Sequence, residues 1–140
     1  MRQATYDALA STKRNVFEKT TKTILIADDD PDDLLLFQET LQAEGYHVLT
    51  TTDGEEAIRM AGHVKPDLII LDIVMPRLYG SEAGIMLHDN PATRNIPIVF
   101  LTALKQPDDN VTPLGQAHNI VLAKSHNPRE LLNTIHELIG

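Results

Sequence analysis

The chain is predicted to be an α/β protein, a five-stranded parallel sheet doubly wound with helices on both faces. Three observations carry this. From Thr23 onward, five short apolar runs ("TILIAD", "YHVLTT", "DLIILD", "IPIVFLT" and "IVLAK") each precede a segment of helical character. Strands that alternate with helices need crossover connections, which favour parallel pairing with right-handed crossings. Runs such as "LIIL" and "IVFL" are apolar at successive positions, the pattern of strands covered on both faces. The length of 140 residues leaves room for one core, and 42% apolar residues are enough to fill it.

The elements follow in order. "TILIAD" leads into Asp30-Pro31, an N-cap acceptor followed by proline in the first turn, with Asp33 near the exposed amides. Leu34, Phe37 and Leu41 then recur at helical spacing, and Gly45 is placed to cap the helix C-terminus. After "YHVLTT", the pair Asp53 and Glu56 resembles a capping box for "DGEEAIRMAGHV". "DLIILD" precedes the helical "SEAGIMLHDN". The segment 106–118 after "IPIVFLT" contains Pro113 and Gly115, so any helix there is short or broken. "IVLAK" leads into Asn127-Pro128-Arg129-Glu130, a second acceptor-proline start, and a final helix.

Charge divides the chain unevenly. The formal net charge is −8, yet residues 1–22 hold five basic side chains against Asp7 and Glu18, a local +3 that leaves −11 for the remainder. We expect residues 1–22 to form a basic extension, flexible or a short helix, and residues 23–140 to form the domain. An acidic body repels phosphodiester backbones, which argues against direct nucleic-acid binding. No apolar run approaches the roughly 20 residues of a membrane helix, and the N-terminus lacks a secretory apolar core. The chain has no cysteine, so disulfide and thiolate chemistry are excluded. A soluble, cytoplasmic protein is the expectation.

In a doubly wound sheet, ligands bind beyond the carboxyl ends of the strands. Strand one ends at Asp28-Asp29, strand three at Asp72, strand four at Thr102 and strand five at Lys124. Singly, each has an ordinary structural explanation as a turn former, a β-branched residue or a solvated lysine. Together they would place three carboxylates, a hydroxyl and an ammonium on one edge. Converging carboxylates repel one another unless a cation offsets them. Magnesium suits one or two carboxylates while leaving room for phosphate oxygens; calcium takes the same donors, and the absence of a strand-end histidine disfavours transition metals. "DDDPDD" lacks calcium-loop spacing, so Asp30, Asp32 and Asp33 read as a cap and first-turn charges that favour the helix dipole. A carboxylate can also attack phosphorus and form an aspartyl phosphate, with Lys124 and Thr102 neutralising the transferring group.

From about residue 23 to 140 these motifs resemble the receiver domain of two-component response regulators. "ILIADDD" is similar to the family's first strand with its acidic pair, here Asp28 and Asp29; "LDIVMPRLYG" resembles the phosphoacceptor segment, with Pro76 and Gly80 at the expected offsets. "LTA" matches the switch-hydroxyl position with Thr102, and Lys124 matches the family lysine. The resemblance implies the strand order 2-1-3-4-5 and Asp72 as phosphoacceptor. It also implies Mg2+ held by Asp28, Asp29, Asp72 and the Val74 backbone carbonyl, and a sensor histidine kinase or phosphotransfer protein as donor. Phosphorylation would then shift a surface that contacts a downstream protein. Because the chain stops after the last helix, a stand-alone receiver signalling by protein contact is expected, not an enzyme beyond its own phosphorylation and slow dephosphorylation.

The chain makes three departures from the family pattern: Val121 replaces the aromatic switch, Ser125 replaces the proline after the lysine, and Pro113 and Gly115 interrupt segment 106–118. All lie on the usual output face. They sustain an alternative, a phosphorylation-independent receiver-like binding module, against which the five intact site residues argue. Val74 and Leu104 are apolar at positions that influence hydrolysis in the family, so a persistent phosphoryl group is expected. Haloacid dehalogenase-type phosphatases also use a strand-end aspartate, but need an acid two residues later, where Val74 stands. The six histidines are scattered and form no donor-like cluster; Arg77 and Tyr79 are candidates for partner contact.

Overall fold

The computed structural model describes residues 21–75, 78–103, 119–124 and 128–140. Outside the described residues lie nearly all of the basic extension, Pro76, Arg77, Leu104, the segment with Pro113 and Gly115, Ser125 and Asn127. Five strands are present: β1 (Thr23–Ala27), β2 (His47–Thr51), β3 (Leu68–Asp72), β4 (Ile98–Thr102) and β5 (Asn119–Ala123). Among the described residues there are four helices: α1 (Pro31–Ala43), α2 (Gly54–Val64), α3 (Gly80–Asp89) and α4 (Arg129–Ile139). All strand pairs are parallel, in the order β2-β1-β3-β4-β5. This is the topology expected from the resemblance.

Strand alternation divides the core in two. Ile24, Ile26, Leu68, Ile70, Val99 and Leu101 face α1 and α4, where Leu34, Phe37, Leu41, Leu131 and Ile135 meet them. Leu25, Ala27, Ile69, Leu71, Ile98 and Phe100 face α2 and α3, against Ala57, Ala61, Ala83 and Leu87. Every residue of β3 and β4 is buried, so both strands are clamped along their whole length. Small alanines on α2 and α3 let those helices lie close to the sheet, and large side chains fill the opposite layer. The rigid product is a central pair of strands whose last residues, Asp72 and Thr102, have little freedom.

Helix boundaries obey local chemistry. Asp30 caps α1 by accepting from the Asp32 N–H at 2.9 Å, with Pro31 behind it. The C-terminus of α1 closes in a Schellman motif: Gly45 N–H donates to Gln42 O (3.0 Å), Tyr46 N–H donates to Leu41 O (3.2 Å), and Gly45 takes φ +96°. Tyr46 therefore belongs to the cap, packed against the α1-side core, and β2 begins at His47. The Asp53–Glu56 box is built differently from expectation. Asp53 caps the Glu55 N–H at 2.9 Å, but the Asp53 N–H donates to Thr51 Oγ1, whose hydroxyl donates to the Glu56 carboxylate. Thr51, buried at the end of β2, thus relays between the two acids. The final helix has Pro128 at its N-cap position, and Pro128 O accepts from Leu132 N–H at 2.9 Å.

Candidate functional site

The strand ends converge. Ligand oxygens of Asp28, Asp29 and Asp72 lie within 4.8 Å of one another, with Asp28 and Asp72 buried and Asp29 exposed. Asp28 follows β1, and its N–H donates to Thr51 O (3.1 Å), which continues the β1–β2 ladder and fixes its direction. Its Oδ1 accepts from the Asp30 N–H at 2.9 Å. Asp72 is the last residue of β3 and only 5% exposed. Beyond it the chain bends: Ile73 N–H still donates to Leu101 O (2.9 Å), and Val74 N–H donates to Asp72 Oδ1 (3.4 Å). Gly80 N–H then returns to Ile73 O at 2.8 Å, so the loop folds back onto the strand end that carries the acid.

Lys124 joins these groups from the far side. Its N–H donates to Thr102 O at 2.6 Å, which ties the end of β5 to the end of β4. Its Nζ lies 2.8 Å from Asp28 Oδ2, 3.1 Å from Asp33 Oδ2 and 3.2 Å from Asp72 Oδ2. Thr102 is buried at the end of β4, and Asp72 and Leu101 are register partners. All five residues singled out at strand ends therefore sit on one sheet edge. Val74 lies just outside it with a 65% exposed side chain.

The electrostatics of this edge suit a cation. Burial pushes the Asp72 carboxyl up to about 6, assisted by the charge of Asp28 and opposed by the charge and hydrogen bond of Lys124 and by the Val74 N–H. Burial alone would lower the Lys124 pKa. Its short ion pair with Asp28, the charges of Asp72 and Asp28, and its hydrogen bond to Asp33 outweigh burial and hold the ammonium above the usual lysine range. One lysine thus meets three carboxylates, Asp28, Asp33 and Asp72, with Asp29 beside them, and the edge keeps an excess of negative charge on hard oxygen donors. That donor set fits a divalent cation of the magnesium type.

Asp33 has a second role that the sequence does not reveal. It occupies the first turn of α1 as expected of a helix-dipole charge, yet its carboxylate is also a direct partner of Lys124. The only signal in the sequence is its position one turn beyond a strand-end aspartate, which cap chemistry explains equally well. Val121 lies on β5 opposite Phe100, partly buried against the core layer beneath α2 and α3.

Comparison with known proteins agrees with this geometry. The family described as the response regulator receiver domain matches residues 24–136. The alkaline phosphatase synthesis transcriptional regulatory protein PhoP of Bacillus subtilis is 38% identical over 110 residues, 79% of this chain. Those residues span only 45% of PhoP, less than half of that relative. Protein PilH of Pseudomonas aeruginosa is 33% identical over 117 residues, 84% of this chain and 97% of PilH. Among solved structures, the receiver domain of sensor histidine kinase PA1611 from Pseudomonas aeruginosa PAO1, with a magnesium ion coordinated in its active site cleft, superposes with a TM-score of 0.77. It is 30% identical and covers 86% of this chain and 99% of that one. With its 2-1-3-4-5 sheet, its strand-end acids and its lysine, the chain belongs to the response regulator receiver domain family of two-component systems.

Proposed function

We propose that this receiver accepts a phosphoryl group on Asp72 from a histidine kinase or a phosphotransfer protein and signals through protein contact. The observation that carries the reading is the placement of one nearly buried carboxylate, Asp72, between an acidic pair and a lysine ammonium. An Asp72 oxygen attacks phosphorus, and the bond to the donor breaks with its electron pair leaving on the donor. Lys124 neutralises charge on a phosphoryl oxygen, and the Thr102 hydroxyl donates to another. Asp28, Asp29, Asp72 and the Val74 carbonyl would hold magnesium, which supplies charge neutralisation at the equatorial oxygens. The chain acts as a signalling module, with no turnover of an external substrate.

Output in this reading runs through backbone. Val121 is too small to act as a rotating aromatic and lies partly buried against the core. The direct link from Thr102 is instead the 2.6 Å hydrogen bond from Lys124 N–H to Thr102 O, which couples the ends of β4 and β5. Movement of Thr102 toward a phosphoryl group would pull this pair together. No helix among the described residues is long and apolar enough to cross a membrane.

The test is NMR with beryllofluoride and Mg2+, a mimic of the phosphoryl group. Shifts at Asp72, Thr102 and Lys124 that require both components and vanish in Asp72→Asn are expected. An unchanged spectrum would support the phosphorylation-independent binding module.

A further inference from the structure

We infer that Asp33 is a positioning residue for phosphoryl transfer, the anchor that holds Lys124 independently of the metal site; this rests on the reading of Asp72 as phosphoacceptor. An ammonium has three N–H donors. Here three carboxylates, Asp28, Asp33 and Asp72, stand within 3.2 Å of it. Two of the three, Asp28 and Asp72, also belong to the trio whose oxygens gather within 4.8 Å as a metal site. Asp33 does not. Once Asp28 and Asp72 share their oxygens with a cation, Asp33 is the one carboxylate of the three whose charge remains committed to Lys124.

The fold delivers Asp33 to this place. Asp28 Oδ1 takes the Asp30 N–H and Asp30 Oδ1 takes the Asp32 N–H, both at 2.9 Å, so the turn from β1 into α1 is locked by consecutive side-chain caps. Leu34 and Phe37 pin the first turns of α1 to the core. The Asp33 carboxylate then projects from the first helical turn to a lysine 91 residues later in the chain. Its side chain is 36% exposed, so the pair sits at the rim, where ion pairs add little to stability. Its value lies in where it leaves the ammonium.

During transfer from an acyl phosphate, Asp72 Oδ forms a P–O bond while the bond from phosphorus to the acyl oxygen breaks, the electron pair leaving on the carboxylate. The Lys124 donor now on Asp72 passes to a phosphoryl oxygen. Asp33 keeps a second donor engaged, which limits the swing of the side chain and aims it at the new oxygen.

The experiment follows phosphorylation by acetyl phosphate and Mg2+ by intact mass in wild type, Asp33→Ala, Asp33→Asn, Lys124→Ala and the Asp33→Ala/Lys124→Ala double variant. Thermal midpoints and Mg2+ affinity are measured alongside. Asp33→Ala is expected to slow phosphorylation by about 5-fold while the thermal midpoint stays near that of wild type, and to have no further effect in the Lys124→Ala background. Asp33→Asn, which keeps an oxygen acceptor, recovers part of the rate. An Asp33→Ala rate equal to wild type, or the same slowing in the presence and absence of Lys124, overturns the inference. If wild type itself gains no phosphoryl group, the Asp72 reading fails first and this inference falls with it.

Discussion

Gly80 is packed directly onto the backbone of Asp72: a Cβ built at residue 80 would lie 2.2 Å from the Asp72 carbonyl oxygen and 3.0 Å from Ile73 Cα. The first residue of α3 is thus a lid over the strand end that carries the central carboxylate. Glycine is required there for close approach, since the obstruction is backbone and cannot rotate away. The strand in "LIILD" must therefore break soon after Asp72, because the chain returns within eight residues to seal it.

Gly80→Ala is expected to destabilise the protein by about 3 kcal/mol, the upper end for overpacking, because neither neighbour is a side chain. The midpoint of thermal unfolding should fall by roughly 6–12 °C for a domain of this size. Calorimetry or circular dichroism checks this. A midpoint equal to that of wild type would show that α3 can lift from Asp72 at no cost.

Asp72 makes stability depend on pH in a definite direction. Its native pKa of about 6 exceeds the ordinary 3.8, so the folded state holds this proton more tightly than the unfolded chain. The contribution is full below about pH 3.8 and is lost as pH rises through about 6. In the absence of divalent cations, Asp72→Asn should therefore be more stable than wild type at pH 7.5, and the gap should close by pH 4. Denaturant melts across that range measure it.

Proton and metal compete for the same carboxylate. Magnesium affinity should fall as pH drops from 7 to 5, and at a concentration 100 times Kd the metal should add about 2.7 kcal/mol to wild-type stability at neutral pH. Chelation should reverse the gain. Asp29→Ala should weaken this effect at little cost to the metal-free fold, because Asp29 is exposed.

The Asp30 cap can be tested without touching the strand-end acids. Asp30→Ala should cost about 1 kcal/mol through the lost hydrogen bond to the Asp32 N–H, while Asp30→Ser should restore most of it. Chemical denaturation gives the difference.

The side chain of Val74, 65% exposed beside the site, offers no group to orient an attacking water. Val74→Asn should shorten the lifetime of the phosphoryl group by several fold, read as the decay of the phosphorylated mass after removal of the donor. A longer lifetime in the variant would contradict this account.

Much of the fold was legible because both sheet faces are covered. Strands such as Leu68–Asp72 are apolar throughout and end at a charge, so their limits and their shared edge can be seen in one dimension. Asp28, Asp29, Asp72, Thr102 and Lys124 were legible for the same reason. The Asp33–Lys124 pair was not, since Asp33 satisfies the chemistry of a helix start so fully that nothing local demands a second partner. Thr51 was missed in the same way: a strand threonine gives no sign that it will stand between Asp53 and Glu56. Asp67, read as the opening residue of a strand, stands just before it and accepts the Thr23 N–H at 2.8 Å, a contact set by sheet register.

Phosphoryl acceptance on Asp72 is read by intact mass after incubation with a small acyl phosphate, with and without Mg2+, in wild type and Asp72→Asn. Wild type should gain one phosphoryl group, only with the metal present, and Asp72→Asn should gain none. No gain in wild type with either the acyl phosphate or a phosphorylated kinase, or an equal gain in Asp72→Asn, would contradict acceptance on Asp72.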